Sequence, residues 1–129
     1  MSRIIVAACT AAALLLSTNA FAQEGDAAAG ATVFKKCAVC HNIDSDKQKV
    51  GPSLQGVIGR QPGTAAGFKY SKAMTDFGAG KVWDEALLTT YLADPRGVVK
   101  GTKMAFPGLK DPKDVANVIA YVKTFSPAQ

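Results

Sequence analysis

Two thiols and an imidazole stand together at Cys37-Ala38-Val39-Cys40-His41. In this C-x-x-C-H spacing, two sulfurs three residues apart can bond covalently to the two vinyl groups of a haem while the adjacent imidazole reaches the iron. Two other chemistries use a Cys-x-x-Cys pair. A thioredoxin-like redox pair wants a βαβ setting, and no strand pattern precedes Cys37. A structural zinc site wants four protein ligands, and the chain holds no second Cys/His pair. The motif therefore points to one haem c, attached through two thioethers, with His41 on the iron.

The partner of His41 follows from what is left. His41 is the only histidine, so bis-histidine ligation within the chain is excluded and a methionine thioether is the remaining soft ligand. Met74 and Met104 both qualify. Met74 falls in a short helical stretch where an ordinary buried methionine is expected. Met104 falls in Gly101-Thr102-Lys103-Met104-Ala105-Phe106-Pro107-Gly108, a loop bounded by turn residues that can hold a side chain over the iron, and it is favoured.

The elements that must position these residues are helical. Gly25-Asp26 reads as a cap, followed by Ala27, Gly30, Val33, Phe34 and Cys37 on one stripe, with the helix ending near Cys37. Residues 42–70 carry six glycine or proline positions between Gly51 and Gly63 and no sustained period, which predicts a long loop region. Loops of that length are uncommon unless something else organises them, and a flat apolar haem would. Ser71 to Phe77 predicts one or two helical turns. Asp84 caps a helix with Leu88, Tyr91 and Leu92 on one face, ended by Asp94-Pro95 because the residue before proline is pushed out of the helical region. Residues 96–110 read as loop again. Asp111-Pro112 starts the last helix, with Val115, Val118, Ile119, Val122 and Phe125 on one face. No alternating run long enough for a strand appears. The expected fold is all-α, three main helices plus a short one, with long loops packed around one covalent haem.

Ahead of that domain, Ile4 to Leu16 is almost unbroken apolar, follows Arg3 and gives way to Asn19-Ala20-Phe21-Ala22. This is the layout of a cleaved secretory signal peptide over residues 1–22, leaving a domain over 23–129. The 13-residue run is too short to span a bilayer core, which needs about 20 residues. Cys9 is then a small residue of the leader; the rival reading, a lipoprotein box at Val6-Ala7-Ala8-Cys9, leaves too few apolar residues before it. Cleavage takes away Arg3 and no acid, lowering the net charge from +5 to +4. Two remaining cysteines cannot build a disulfide framework.

Cys37-x-x-Cys40-His41, Gly51-Pro52-x-Leu54, Gly59-Arg60, Trp83, Tyr91-Leu92-x-x-Pro95, Gly101-Thr102-Lys103-Met104-x-Phe106 and Ile119-Ala120-Tyr121 occur in the order found in class I cytochromes c. Over residues 25–125 the chain resembles that family, in particular bacterial cytochrome c2, close to the mitochondrial type. The resemblance implies His41 as proximal and Met104 as distal iron ligand. It further implies that Pro52 offers its carbonyl to the His41 ring, that Arg60, Tyr70 and Trp83 hydrogen-bond the haem propionates with Ser71 nearby, and that Tyr91 and Thr102 bond around the Met104 sulfur and an inner propionate. Gly30 and Val118, with Phe34 and Tyr121, match the crossing of the terminal helices. Met74 departs from the pattern, standing where mitochondrial-type proteins commonly have a polar residue. Gly97 and Lys100 also depart from it.

The function implied is one-electron transfer by a monomeric periplasmic carrier, not an enzyme, because an iron held on both sides has no vacant position for a substrate. The carrier would be reduced by a membrane quinol–cytochrome c reductase and oxidised by a terminal oxidase or photosynthetic reaction centre; the alternatives are a dedicated acceptor of one periplasmic dehydrogenase and a peroxidase or gas-binding haem protein. The catalytic alternative is disfavoured because no second histidine or other acid/base group stands near position 104. Lys36, Lys49, Lys69, Lys72, Arg96, Lys103 and Lys110 lie in segments that the family places around the exposed haem edge, where they would steer the protein to acidic docking surfaces. An exported chain without a basic stripe is a poor fit to nucleic acid.

Overall fold

Asp26 opens the first helix, its carboxylate accepting from the backbone N–H groups of Ala28 at 2.8 Å and Ala29 at 3.2 Å, as an N-cap does. The computed structural model describes residues 24–127, so the leader 1–22 lies outside the described residues. The first helix, α1, spans Ala27–Ala38 and carries Lys35 and Lys36 in its last turn, against the negative end of the helix dipole. Its final carbonyls bring the chain round: Cys40 N and His41 N both donate to Cys37 O, at 3.0 and 2.9 Å. Cys37, Cys40 and His41 are thereby gathered on one helix end.

The last helix, α5, spans Pro112–Lys123, with Asp111 as N-cap and proline at its first turn. It crosses α1 at Gly30. A Cβ there would sit inside the contact shell of the Asn117 carbonyl and 2.8 Å from Tyr121 Cβ, so only glycine lets the backbones approach this closely. Phe34 and Tyr121 pack with ring centroids 5.3 Å apart, and Val118 and Ile119 are buried beneath them. Asn117 is also buried, and its Oδ1 accepts from Asp26 N at 2.8 Å. A buried amide group must find a partner, and this one ties the start of α1 to the middle of α5.

Between the terminal helices lie α2 (Lys72–Gly78), capped by Ser71, α3 (Glu85–Ala93), capped by Asp84, and α4 (Pro95–Val98). The first two agree with the sequence reading to within a residue or so. The third does not, because residues 96–98 were expected to be loop. Asp94 leaves helical geometry as anticipated, but its carboxylate then accepts from Gly97 N at 3.0 Å, and Pro95 occupies the first position of a new turn. An Asp-Pro dipeptide both ends one helix and starts the next. Among the described residues there is no strand, and no helix is long and apolar enough to cross a membrane.

The long loop 42–70 is held by backbone bonds to distant partners. Gly51 N donates to Cys40 O at 2.8 Å and Leu54 N to Asn42 O at 2.8 Å, while Arg60 and Trp83 are linked through Trp83 N to Arg60 O at 2.9 Å.

Candidate haem site

His41 is oriented by what its ring touches. Its Nδ1 lies 2.7 Å from Pro52 O; a carbonyl can only accept, so Nδ1 carries the proton and Nε2 keeps its lone pair for a metal. The ring rests against Gly51, where a Cβ would come 2.7 Å from Nδ1. Burial holds the imidazole below its ordinary pKa, aided by the nearby Lys49 charge and opposed by the Pro52 bond. The neutral, ligating form is favoured.

Met104 is fixed by Tyr91 and Thr102. The Tyr91 hydroxyl donates to Met104 Sδ at 3.3 Å, and Met104 N donates to Thr102 Oγ1 at 3.2 Å. Tyr91 is buried on α3, which pushes its phenol up to about 12; a hydrogen bond with Thr102 acts in the opposite direction. The neighbouring ring of Trp83 packs tilted against it, 4.8 Å between centroids.

Cys37 and Cys40 are both free thiols. Burial raises the Cys37 pKa, with the Lys36 charge acting against it. A thiol kept protonated in this way is the opposite of the acidic, reactive cysteine of a redox Cys-x-x-Cys pair.

All eleven residues singled out from the sequence line one cavity of about 460 Å³: Cys37, Cys40, His41, Pro52, Arg60, Tyr70, Ser71, Trp83, Tyr91, Thr102 and Met104. Their polar atoms are partly committed already. Arg60 donates to Ser53 O at 3.0 Å and Gln55 O at 3.3 Å, the Tyr70 hydroxyl accepts from Ala65 N at 3.0 Å, and Ser71 Oγ accepts from Met74 N at 3.1 Å. Arg60 keeps further N–H groups, and Tyr70 keeps its phenolic hydrogen. Phe34, Leu54, Val57, Leu88, Phe106 and Val122 make up much of the apolar wall. The cavity lies within the ordinary range for cofactor pockets, about 300–1,000 Å³. An imidazole with a free Nε2, a thioether, two free thiols and apolar walls with guanidinium and phenol donors fit a covalently held haem: two candidate iron donors, two attachment points and partners for its carboxylates.

Sequence reasoning gave no role to Asn117 and quoted Gly51 without assigning it one. Both act by contact across the fold, and neither belongs to a periodic pattern. Met74 is buried and lines the same cavity as Met104. Val39 and Val50 also line it, yet are 72% and 80% exposed, so they mark its solvent-facing rim. All seven basic residues expected around the haem edge are exposed, and of these Lys36 and Lys103 line the cavity. Three of them already have partners: Lys49 Nζ donates to Ala38 O at 2.7 Å, Lys72 pairs with Asp76, and Lys110 Nζ donates to Ala93 O and Pro107 O.

Residues 27–126 match the family model described as Cytochrome c. The chain is 55% identical over 91 residues to cytochrome c2 iso-2 of Magnetospirillum fulvum, a match covering 70% of this chain and 93% of that one. Against cytochrome c2 of Rhodomicrobium vannielii it is 46% identical over 123 residues, covering 95% and 96%. Among solved structures, cytochrome cH from Methylobacterium extorquens superposes with a TM-score of 0.72 at 50% identity, over 78% of this chain and 99% of that one. Cytochrome c2 from Rhodospirillum centenum gives 0.76 at 44%, over 80% and 100%. With Cys37 and Cys40 at the attachment positions of such a cavity, the chain belongs to the cytochrome c family, as a cytochrome c2-like electron-transport protein carrying covalently attached haem c.

Proposed function

We propose that the protein is a soluble periplasmic electron carrier whose haem iron is held between His41 and Met104. On this reading residues 1–22 are a cleaved leader, and the carrier is reduced by a quinol–cytochrome c reductase and oxidised by a terminal oxidase or photosynthetic reaction centre. The observation that carries the ligand assignment is the Tyr91 hydroxyl on the Met104 sulfur, 3.3 Å apart, in the cavity that also holds the Pro52-oriented His41 ring. A dedicated donor on that sulfur inside the cofactor cavity supports a positioned ligand over core filling.

The haem, when bound, supplies a one-electron ferric/ferrous couple. The chain supplies the rest. His41 is pre-set as the Nδ1-protonated tautomer, so its ligating nitrogen needs no rearrangement between oxidation states. Tyr91 holds the thioether and Thr102 the Met104 backbone, and a thioether in an apolar pocket favours the reduced state and raises the potential. Arg60, Tyr70 and Trp83 would hold the propionates, with Ser71 beside them, and the apolar wall would keep water from the haem. With His41 and Met104 both holding the iron, no position would be left on it for a substrate, which favours a carrier over an enzyme. Lys36 and Lys103, exposed residues that line the cavity, suit transient, salt-sensitive encounters with acidic partners.

The test is an absorption spectrum of the haem-loaded protein in both redox states, with and without cyanide. A weak red band of ferric iron bound to sulfur, together with slow cyanide binding, supports the carrier. Absence of the band and immediate cyanide binding would replace it with a catalytic or gas-binding protein.

A further inference from the structure

The loop that carries Met104 is fastened back to α3, the helix that carries Tyr91. It begins and ends at glycines in the left-handed region, Gly101 at φ +87° and Gly108 at φ +97°. At its start Thr102 N donates to Val99 O at 3.1 Å. At its far end the chain runs along the last carbonyls of α3. Leu109 N donates to Leu92 O at 2.8 Å, and Gly108 lies so near Ala93 that a Cβ would come within 2.8 Å of its carbonyl carbon.

Lys110 completes this seam. Its Nζ donates to Ala93 O at 3.2 Å and to Pro107 O at 2.9 Å. Ala93 is the final residue of α3, and a helix's last carbonyls lack partners within the helix. An ammonium supplies a donor there and opposes the negative end of the dipole. Asp94, the next residue, turns its Oδ1 to Gly97 N instead. One of the two acceptors belongs to α3 and the other to the Met104 loop, so the lysine bridges the helix holding the hydroxyl and the loop holding the sulfur.

We propose that Lys110 is a positioning residue for Met104, a staple that sets how often the thioether leaves the iron. The role rests on Met104 being the distal ligand, as argued above. It differs from partner docking, which needs only the charge at the surface: a staple needs the two carbonyl bonds, and its loss is felt inside the isolated protein.

The experiment is stopped-flow binding of imidazole to the ferric, haem-loaded protein. At saturating imidazole the rate reports opening of the sixth position. Lys110→Met, Lys110→Arg and Lys113→Met are compared with the parent, the last being an exposed lysine of α5 that makes the same change in net charge. The limiting rate should rise about three- to tenfold in Lys110→Met, the range expected for losing charge-assisted bonds at an exposed site. It should stay within about twofold of the parent in Lys110→Arg, which keeps charge and donors, and in Lys113→Met. Equal rates in Lys110→Met and Lys113→Met would overturn the role, as would a rise matched by an equal increase in the global unfolding constant from dichroism. A parent lacking the sulfur band would overturn the ligand assignment itself and the staple with it; a parent that has the band while Lys110→Met changes nothing overturns the staple alone.

Discussion

Tyr91 and Met104, 13 residues apart in sequence, meet through a 3.3 Å hydrogen bond from phenol to thioether. Because burial has raised the phenol from its ordinary 10 to about 12, the folded state resists ionisation that the unfolded chain undergoes near pH 10. The associated stability is whole below about pH 10 and is lost as pH rises toward 12, amounting to at most about 3 kcal/mol. Denaturant titrations of the haem-loaded protein across this window should show that loss, and Tyr91→Phe should flatten it. An equally steep decline in Tyr91→Phe would assign the effect to other groups.

Met104→Ala should retain covalent haem, since Cys37, Cys40 and His41 are untouched. It should also open the sixth position and lower the potential, as thioether ligation favours the ferrous state. Potentiometry and the ferric red band check this together. An unchanged potential and band would mean that Met104 is not the ligand.

Gly51→Ala places a methyl group against the His41 ring, 2.7 Å from Nδ1. The ring must turn or the 2.7 Å bond to Pro52 O must lengthen, so the expected result is a changed proximal ligand signature with a stability loss of about 1–3 kcal/mol. The hyperfine-shifted imidazole resonances of the ferric form are the readout. Parent-like resonances would show that this loop yields without moving the ring.

Gly30→Ala tests the helix crossing. Its Cβ would collide with the Asn117 carbonyl and crowd Tyr121, both backbone-anchored parts of α5. Overpacking of this kind costs about 1–3 kcal/mol or more, which thermal unfolding followed by dichroism would detect as a melting temperature lowered by roughly 5–20 °C for a domain this size. A shift below about 2 °C would mean that the helices separate at little cost.

Electron-transfer rates to an acidic redox partner should fall steeply as ionic strength rises from a few millimolar, because Lys36, Lys69, Arg96 and Lys103 are exposed and charge steering weakens as the screening length shortens. Stopped-flow rates at several salt concentrations give the slope. A flat dependence would remove charge steering and leave the exposed Val39 and Val50 as the main contact.

Where signals lay close together in the chain, the sequence was enough. The C-x-x-C-H motif spans five residues, so its chemistry is legible without a fold. The N-caps Asp26, Ser71, Asp84 and Asp111 act over two or three residues, and each helix they open stands within a residue or two of where the sequence places it. The miss at Pro95–Val98 had a local signal too: the Asp-Pro dipeptide that correctly starts α5 was read at Asp94-Pro95 only as a stop. A four-residue turn is too short to show a periodic face, and nothing else marked it.

The haem chemistry, its attachment residues and the helical class were thus legible in the sequence alone, where the loop setting favours Met104 over Met74 as the expected ligand and the family resemblance strengthens that expectation. Only the tertiary structure decided which groups orient those residues. Asp26 and Asn117 are 91 positions apart, and no pattern within a helix marks Asn117 as the partner of a distant backbone N–H. Gly51 reads as one turn glycine among many until the His41 ring is seen against it. Lys110 reads as a surface charge until its ammonium is seen bridging Ala93 and Pro107. Local motifs follow from covalent spacing, whereas these contacts exist only once burial has brought remote segments within hydrogen-bonding distance, where each polar group must find a partner.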